Sequence, residues 1–402
     1  MVNIKNLVKE VEKDIISWRH DFHKHPELSF QEVETTKKIK KILEEIGYKN
    51  INVGNPVYPE IGLYVDLKED SKEDTIALRA DIDALPVCEQ ADVEYKSENE
   101  GIMHACGHDA HISMLLGVAK VLYNLKDKIN GNVRFIFQPG EEMVDPKLKY
   151  CGAQILTEKS NYLDGVKAIF GCHIWGSLPT GKIYYKSGPL TTDNSFVDLE
   201  VKGIGGHASM PYLTIDPVVT LCQIVVGYQS IISRMINSLD PCVMTVSTIE
   251  TDSNGAYNVI PEKARLKANI RTYGEDVRND LINKMERMAR GYADAVGASV
   301  NFKTTYGAPA VINNVELTRL AEKAVEENMG LEYLQEIRPE SASEDFSFYL
   351  KKVPGFFFLV GCGNKEKETD FAQHHPKFKV DDDALKIGAG AMLSIVLKYF
   401  GI

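Results

Sequence analysis

Apolar residues recur at helical spacing from the start of the chain: Leu7, Val11, Ile15, Trp18 and Phe22 fall three or four apart, and the pattern stops before Pro26. Ser29 and Glu32 predict a capping box for a second helix carrying Val33, Ile39, Leu43 and Ile46, which Gly47 ends. Two short apolar runs, Ile61 to Leu67 and Thr75 to Leu78, read as strands; the second leads into Arg79, Ala80, Asp81, Ile82, Asp83, Ala84, Leu85 and Pro86. A helix over about 112–125, a buried strand from Val133 to Phe137 and another over 166–172, ahead of His173, continue the alternation. Helices and buried strands in turn predict the α/β class, with a central, mostly parallel sheet and the site along one edge.

Near Gly188 and Pro189 the pattern changes. Val197, Leu199 and Val201 alternate with Asp198, Glu200 and Lys202, as in a half-exposed strand. A Gly-rich turn follows, then a helix begun by Asp216 and Pro217, a strand from Val243 to Ile249, the alternating strand of Ala264, Leu266, Ala268 and Ile270, and a helix through Met285 and Met288. One sheet face covered by two helices predicts a compact, ferredoxin-like α+β unit. Buried-strand character returns over Phe356 to Val360, and a last helix spans about 383–399. The expected organisation is a discontinuous catalytic domain, 1–188 and 304–402, interrupted by a smaller inserted domain, 189–303, whose two connections could hinge as a lid. The open edge of the inserted sheet could pair with a twin.

At 402 residues and 44% hydrophobic content the chain can bury a core large enough for two domains. A net charge of −11 argues against a nucleic-acid surface. No apolar run approaches the ~18 residues needed to cross a bilayer, and the N-terminus lacks the apolar core of a signal peptide, so a cytoplasmic protein with no membrane partner is expected. Seven scattered cysteines, an odd number in so long a chain, are expected to be reduced thiols.

The chemistry concentrates in one octapeptide, His104, Ala105, Cys106, Gly107, His108, Asp109, Ala110 and His111. A cysteine and a histidine separated by one small residue can reach one borderline-soft cation, and Gly107 permits the bend that aims them together. The alternative is a polar loop of buried, hydrogen-bonded histidines. Gln138, Pro139, Gly140, Glu141 and Glu142 close the preceding strand, placing two carboxylates at a carboxyl edge where open α/β sheets bind ligands. One of them can ligate a metal while its neighbour holds a water; the alternative is a solvated acidic turn. His173 follows a strand, His374 and His375 precede Pro376 in a loop able to return to the same edge, and His207 lies in a Gly-rich loop of the inserted domain.

The runs RADIDALP (79–86), HACGHDAH (104–111), QPGEE (138–142), GCHIW (171–175), GIGGHASMP (203–211) and SEDFSFY (343–349), in this order, resemble the amidohydrolase branch of the di-metal peptidases related to carboxypeptidase G and aminoacylase. That branch includes hippurate hydrolases, N-acyl-amino-acid amidohydrolases, hydrolases of auxin conjugates and N-acetyldiaminopimelate deacetylases. The resemblance extends from Arg19, His20 and HPELSF (25–30) to the final helix. It implies two divalent metal ions, zinc or manganese, or else cobalt or nickel, held by Cys106, His108, Glu142, His173 and His374. Of the adjacent histidines, His374 matches because it lies two positions before proline. Glu141 is implied as general base and then acid, His207 as a hydrogen-bond donor to the oxyanion, and Arg271, with Asn258 beside it, as the anchor of a substrate carboxylate. The alternative for Arg271 is a surface ion pair.

The wider superfamily places a ligand histidine two positions before the aspartate matching Asp81, and here Arg79 stands there. Asp81 is therefore read as a carboxylate that orients a ligand. The implied reaction cleaves a small-molecule N-acyl amino acid, N-acetyl, N-benzoyl or similar, into a carboxylate and a free amino acid by metal-activated water. The implied assembly is a homodimer or a higher homo-oligomer. The alternatives are a dipeptidase of the same fold and an inactive homologue that serves as a binding protein.

Overall fold

The computed structural model describes residues 3–68 and 74–402. They form two compact units, Met1–Leu190 with Ile312–Arg338 and Asp345–Ile402, and Thr191–Val311 with Pro339–Glu344. The first unit begins with α1 (Ile4–Lys24), α2 (Val33–Ile46), β1 (Asn52–Val53), β2 (Leu63–Asp66), β3 (Thr75–Asp81), α3 (His108–Leu125), β4 (Asn132–Gln138), α4 (Gly152–Lys159), β5 (Val166–Pro179), β6 (Ile183–Tyr185) and β7 (Gly188–Pro189). The second holds β8 (Ser195–Lys202), β9 (Gly206–His207), α5 (Pro217–Arg234), β10 (Cys242–Thr251), β11 (Val259–Ile260), β12 (Lys263–Thr272), α6 (Glu275–Val296) and β13 (Ser299–Tyr306). The chain then returns with β14 (Ile312–Asn313), α7 (Val315–Asn328), β15 (Leu334–Glu336), α8 (Ser347–Leu350), β16 (Gly355–Gly363) and α9 (Asp383–Tyr399).

The first unit is built on a mixed sheet of order β1-β2-β4-β3-β5-β16-β6-β15. Its centre, β4, β3, β5 and β16, runs parallel, while β2 and β6 pair antiparallel to their inner neighbours. Strands β3 and β4 are buried at every residue, as expected of runs covered on both faces. Helices α3 and α9 are apolar nearly all round and correspondingly almost wholly buried. Leu78, Phe135, Phe170 and Phe358 from the sheet share one core with Phe22, Leu43, Leu115 and Leu393 from the helices.

Three local expectations are revised. No side chain of the expected capping box caps α2: the Glu27 carboxylate accepts from Glu34 N (3.2 Å) and Thr35 N (2.7 Å), while Ser29 and Glu32 are drawn to Asp83 and to the amide of Gly140. Helix α3 begins at His108, four residues before Ile112. Strand β5 runs through His173 to Pro179, so His173 lies within a strand rather than after one.

The second unit is an antiparallel sheet of order β10-β12-β8-β13. Along β8 buried and exposed positions alternate, and its inward Val197, Leu199 and Val201 pack with Leu221, Ile224 and Tyr228 of α5 and Leu281 and Met285 of α6. Asp216 caps α5, accepting from Val218 N at 2.8 Å. The returning segment Pro339–Glu344 joins this unit through a Thr191–Glu340 bridge and a Thr192 N to Ala342 O bond of 3.1 Å. Among the described residues no helix is long and apolar enough to cross a membrane.

Candidate metal centre

The carboxyl ends of β3 and β4, the middle of β5, the start of α3 and the loop before α9 deliver side chains to one place in the first unit. Gly107, at φ +88°, turns the chain into α3, and a Cβ there would come within 2.5 Å of Ile174 Cγ2, so both conformation and space demand glycine. The turn lets Cys106 and His108 face the same way. Donor atoms of Cys106, His108 and His173 lie within 4.8 Å of one another, as do those of Cys106, Glu142 and His374, and of His108, Glu141 and Glu142. The five donors implied by the resemblance thus form two trios sharing Cys106, with Glu141 at their side.

Hydrogen bonds behind the rings decide which nitrogen faces the cluster. His108 Nδ1 lies 2.9 Å from the Asp83 carbonyl oxygen and 3.2 Å from its carboxylate. Those atoms only accept, so Nδ1 keeps its proton and Nε2 is the nitrogen turned to the cluster, able to ligate once a cation displaces the proton there. In the same way His173 Nδ1 donates to the carbonyl of Ile174 (2.5 Å), leaving Nε2 at 3.3 Å from Cys106 Sγ. His111 differs: its Nε2 accepts from Ile174 N (2.7 Å) and its Nδ1 donates to Asp81 Oδ1 (2.5 Å). With both nitrogens engaged it has no lone pair to offer, although it stands close to Asp81 and His108. Of the remaining octapeptide residues, Asp109 is bound to Arg19 and His23, and His104 is buried with neither ring nitrogen partnered. His375 stacks on Phe371, its ring accepting from Lys377 N, while the backbone N–H of His374 is tied to Ala105 O at 2.8 Å.

The electrostatics suit a cation. Burial, and then the carboxylates of Glu142 and Glu141, push the Cys106 thiol well above its usual range. Burial pulls His108 down, but Asp81 and Asp83 outweigh it and carry the ring up to about 10. Burial keeps His173 neutral, with His111 adding to the effect. His108 Nε2 and Glu142 Oε1, 3.8 Å apart, are both buried without a hydrogen-bond partner, and His374 Nε2 is 3.4 Å from the same oxygen. Orphaned atoms of this kind cost on the order of 1–3 kcal/mol each unless something fills the gap between them. Thiolate, imidazole and carboxylate together are a donor set for a divalent transition ion.

Sequence reasoning passed over the groups that hold these donors. Asp83 orients His108, accepts from Glu142 N (2.9 Å) and is itself held by Ser29 Oγ (2.6 Å). The buried Arg79 donates through Nε to Gln138 Oε1 (2.8 Å), through Nη1 to Asp81 (2.6 Å) and through Nη2 to Asp345 (2.8 Å). Asp345 also accepts from Gln138 Nε2 and Ala153 N, and its own N–H points to Glu141 Oε1 at 3.4 Å. A signal was present: Arg79, Asp81 and Asp83 are charged residues at two-residue spacing in an otherwise apolar run, which puts them on one side of a strand and its extension.

The other candidates belong to the second unit. His207 is exposed on β9, where Val259 pairs with it, and its Nδ1 accepts from Ser209 N (3.2 Å) and lies 2.8 Å from Ser209 Oγ. The ring proton is therefore on Nε2, which can donate. Asn258 accepts from Ala208 N through its carbonyl (3.1 Å). Arg271, half-buried on β12, has a buried Nη1 without a partner and, among the described residues, no ion pair.

A parallel-centred sheet with imidazole, thiol and carboxylate donors gathered at its carboxyl edge is an architecture for metal-dependent hydrolysis. A family model described as Peptidase family M20/M25/M40 matches residues 77–398, and the chain belongs to this family, as a metal-dependent hydrolase. It is 38% identical over 375 residues to an N-acetylcysteine deacetylase of Bacillus subtilis, covering 93% of this chain and 94% of that one. It is 37% identical over 310 residues to an N-acyl-L-amino acid amidohydrolase of Geobacillus stearothermophilus, covering 77% and 80%. Among solved structures it is similar to the Bacillus subtilis YXEP protein, described as a dinuclear metal-binding peptidase of the M20 family, with a TM-score of 0.82, 34% identity and coverage of 98% and 99%.

Proposed function

We propose that this chain hydrolyses N-acyl amino acids to a carboxylic acid and a free amino acid, with Cys106, His108, Glu142, His173 and His374 holding two divalent ions. The observation that carries the reading is the pair of donor trios sharing Cys106, whose orphaned Nε2 and Oε1 atoms face each other. Two bound cations would supply Lewis acidity toward water and the amide carbonyl. Glu141, beside the donors, takes a proton from the attacking water and returns it to the leaving nitrogen as the C–N bond breaks. Asp81 keeps His111 in one tautomer and, with Asp83, sets the field around His108.

Within the second unit, His207 has the tautomer of a donor through Nε2, which supports its role toward the carbonyl oxygen as negative charge develops there. Arg271, with its unpartnered Nη1, is the proposed anchor of the substrate carboxylate, with Asn258 as a polar neighbour. A second copy of the chain is the proposed partner at the outer edge of β10. That strand is ten residues long, and the α5 beside it exposes Val219 and Val226 and carries no charge from Pro217 to Ser233. The test is elemental analysis of the purified protein followed by assay on N-acetyl and N-benzoyl amino acids and on dipeptides. Metal binding with release of free amino acid from the acylated compounds is expected. A protein that binds metal and cleaves only dipeptides, or one that binds none and cleaves nothing, would reject the proposal.

A further inference from the structure

The loop after the paired glutamates is built in an unusual way for a surface segment. Met143, Val144 and Leu148 are 48%, 51% and 41% exposed, three of the eight large hydrophobic side chains that the described residues of the first unit leave exposed. Between them Asp145 is turned inward and only 5% exposed. Its carboxylate accepts from Lys147 N (2.8 Å), Leu148 N (2.5 Å) and the hydroxyl of Tyr58. Its backbone bonds to Tyr150 O and Lys149 N, each at 2.8 Å.

The base of the loop is fixed as firmly. Glu142 N is held by Asp83, and Gly152 N bonds to Gly140 O at 2.7 Å. Tyr58 stacks on Phe30 with ring centres 5.0 Å apart, and Phe30 lies so close to Gly140 that a Cβ there would meet its ring at 2.3 Å. An apolar display on a mobile loop would simply collapse. Here the backbone is anchored and the apolar side chains are held in water on the loop that follows the proposed base in the chain, which marks a binding surface.

The proposed function decides which part of a substrate lies there, and this inference rests on that reading. The scissile carbonyl is presented to Glu141 and Glu142. The amino-acid half carries a carboxylate, assigned to Arg271, and an ionised group gains nothing from apolar neighbours. The group that continues from the carbonyl carbon on the other side is the acyl chain. We infer that Met143, Val144 and Leu148 form the acyl subsite and select a bulky apolar acyl group, aromatic or medium-chain aliphatic, over acetyl.

The test compares kcat/KM for N-acetyl, N-octanoyl and N-benzoyl derivatives of one amino acid between the metal-loaded wild type and a variant carrying Met143→Ser, Val144→Ser and Leu148→Ser. All three positions are exposed and Asp145 is untouched, so folding is not at stake. Wild type is expected to favour the bulky acyl groups. The variant should lose roughly 10- to 100-fold on them, the range for removing apolar contacts in a pocket, and less than about 2-fold on acetyl. Equal losses across the series, or none, would overturn the inference, as would a loss that follows the amino-acid side chain when the acyl group is held constant. A changed oligomeric state by sedimentation with unchanged selectivity would assign the loop to a second copy, and also overturn it. Wild type that cleaves no acylated substrate would instead reject the hydrolase reading, a distinguishable failure.

Discussion

Replacing Arg79 with methionine tests the frame behind the site. The thioether fills most of the arginine stem's volume but removes the donors to Gln138, Asp81 and Asp345 at one stroke. Both carboxylates have side chains no more than 3% exposed. Breaking a buried ion pair by removing one partner costs about 3–5 kcal/mol, because the other charge stays behind without compensation.

The pH dependence of that loss identifies its source. Burial already raises the Asp345 carboxyl from 3.8 to about 6, against the opposing pull of Arg79. Without the guanidinium it rises further and is protonated at neutrality. A carboxyl with a raised folded pKa holds a proton that the unfolded chain has released, so its stability contribution is present at low pH and lost as pH rises through the window. Wild type takes up the same proton only below about pH 6. The gap between the two proteins should therefore narrow by ~1.4 kcal/mol between pH 7 and pH 5, about 1 kcal/mol of it by pH 6, and then stay level. Urea unfolding followed by circular dichroism at pH 7, 6 and 5, at matched metal content, reads both quantities. A loss under ~1 kcal/mol at pH 7, the scale of an exposed ion pair, would refute the argument.

Glu141→Ala should lower turnover by at least ~100-fold, the lower end for a positioned general base, with metal stoichiometry unchanged; near-normal activity removes Glu141 from the mechanism. Cys106→Ala should lose metal by elemental analysis whereas the exposed Cys222→Ala keeps it, and equal stoichiometry in the two would dismiss the thiol as a donor. His207→Ala should lower kcat by ~100-fold or more, the scale of one oxyanion donor, at unchanged metal content. If the histidine acts across a dimer, mixing that variant with Glu141→Ala restores part of the activity; no recovery after verified subunit exchange would argue that it acts within its own chain or not at all.

The hydrophobic pattern made most elements legible because their apolar periods are strong: 3.6 in α1 and α6, unbroken runs in β3 and β4, alternation in β8. The donor region was legible too, since cysteine, histidine and strand-end carboxylates concentrate there. The roles within it were not. His111 and His173 look equally able to ligate until Ile174 supplies an N–H to one and a carbonyl to the other, and that backbone lies over 60 positions away from His111. The capping box failed for a similar reason: Ser29 and Glu32 have the right spacing, but Asp83 and Gly140, distant along the chain, outbid the helix end. The Arg79 frame could have been suspected from its spacing, yet Asp345, 266 positions away, could only be found in three dimensions.

The proposed donors differ sharply in their access to water, and this would set an order of events. Cys106, His108 and His173 are closed off, whereas the side chain of His374 is 56% exposed, on a residue whose φ of +67° lies in the left-handed region that side chains seldom adopt. A cation leaving or entering would meet His374 at the surface, and the loop it rides on is tied back by its own N–H to Ala105. Exchange kinetics should therefore be governed by that one strained loop rather than by the affinity of the inner donors. A chelator would strip the ion nearest His374 first, and a half-loaded protein would be the species that accumulates.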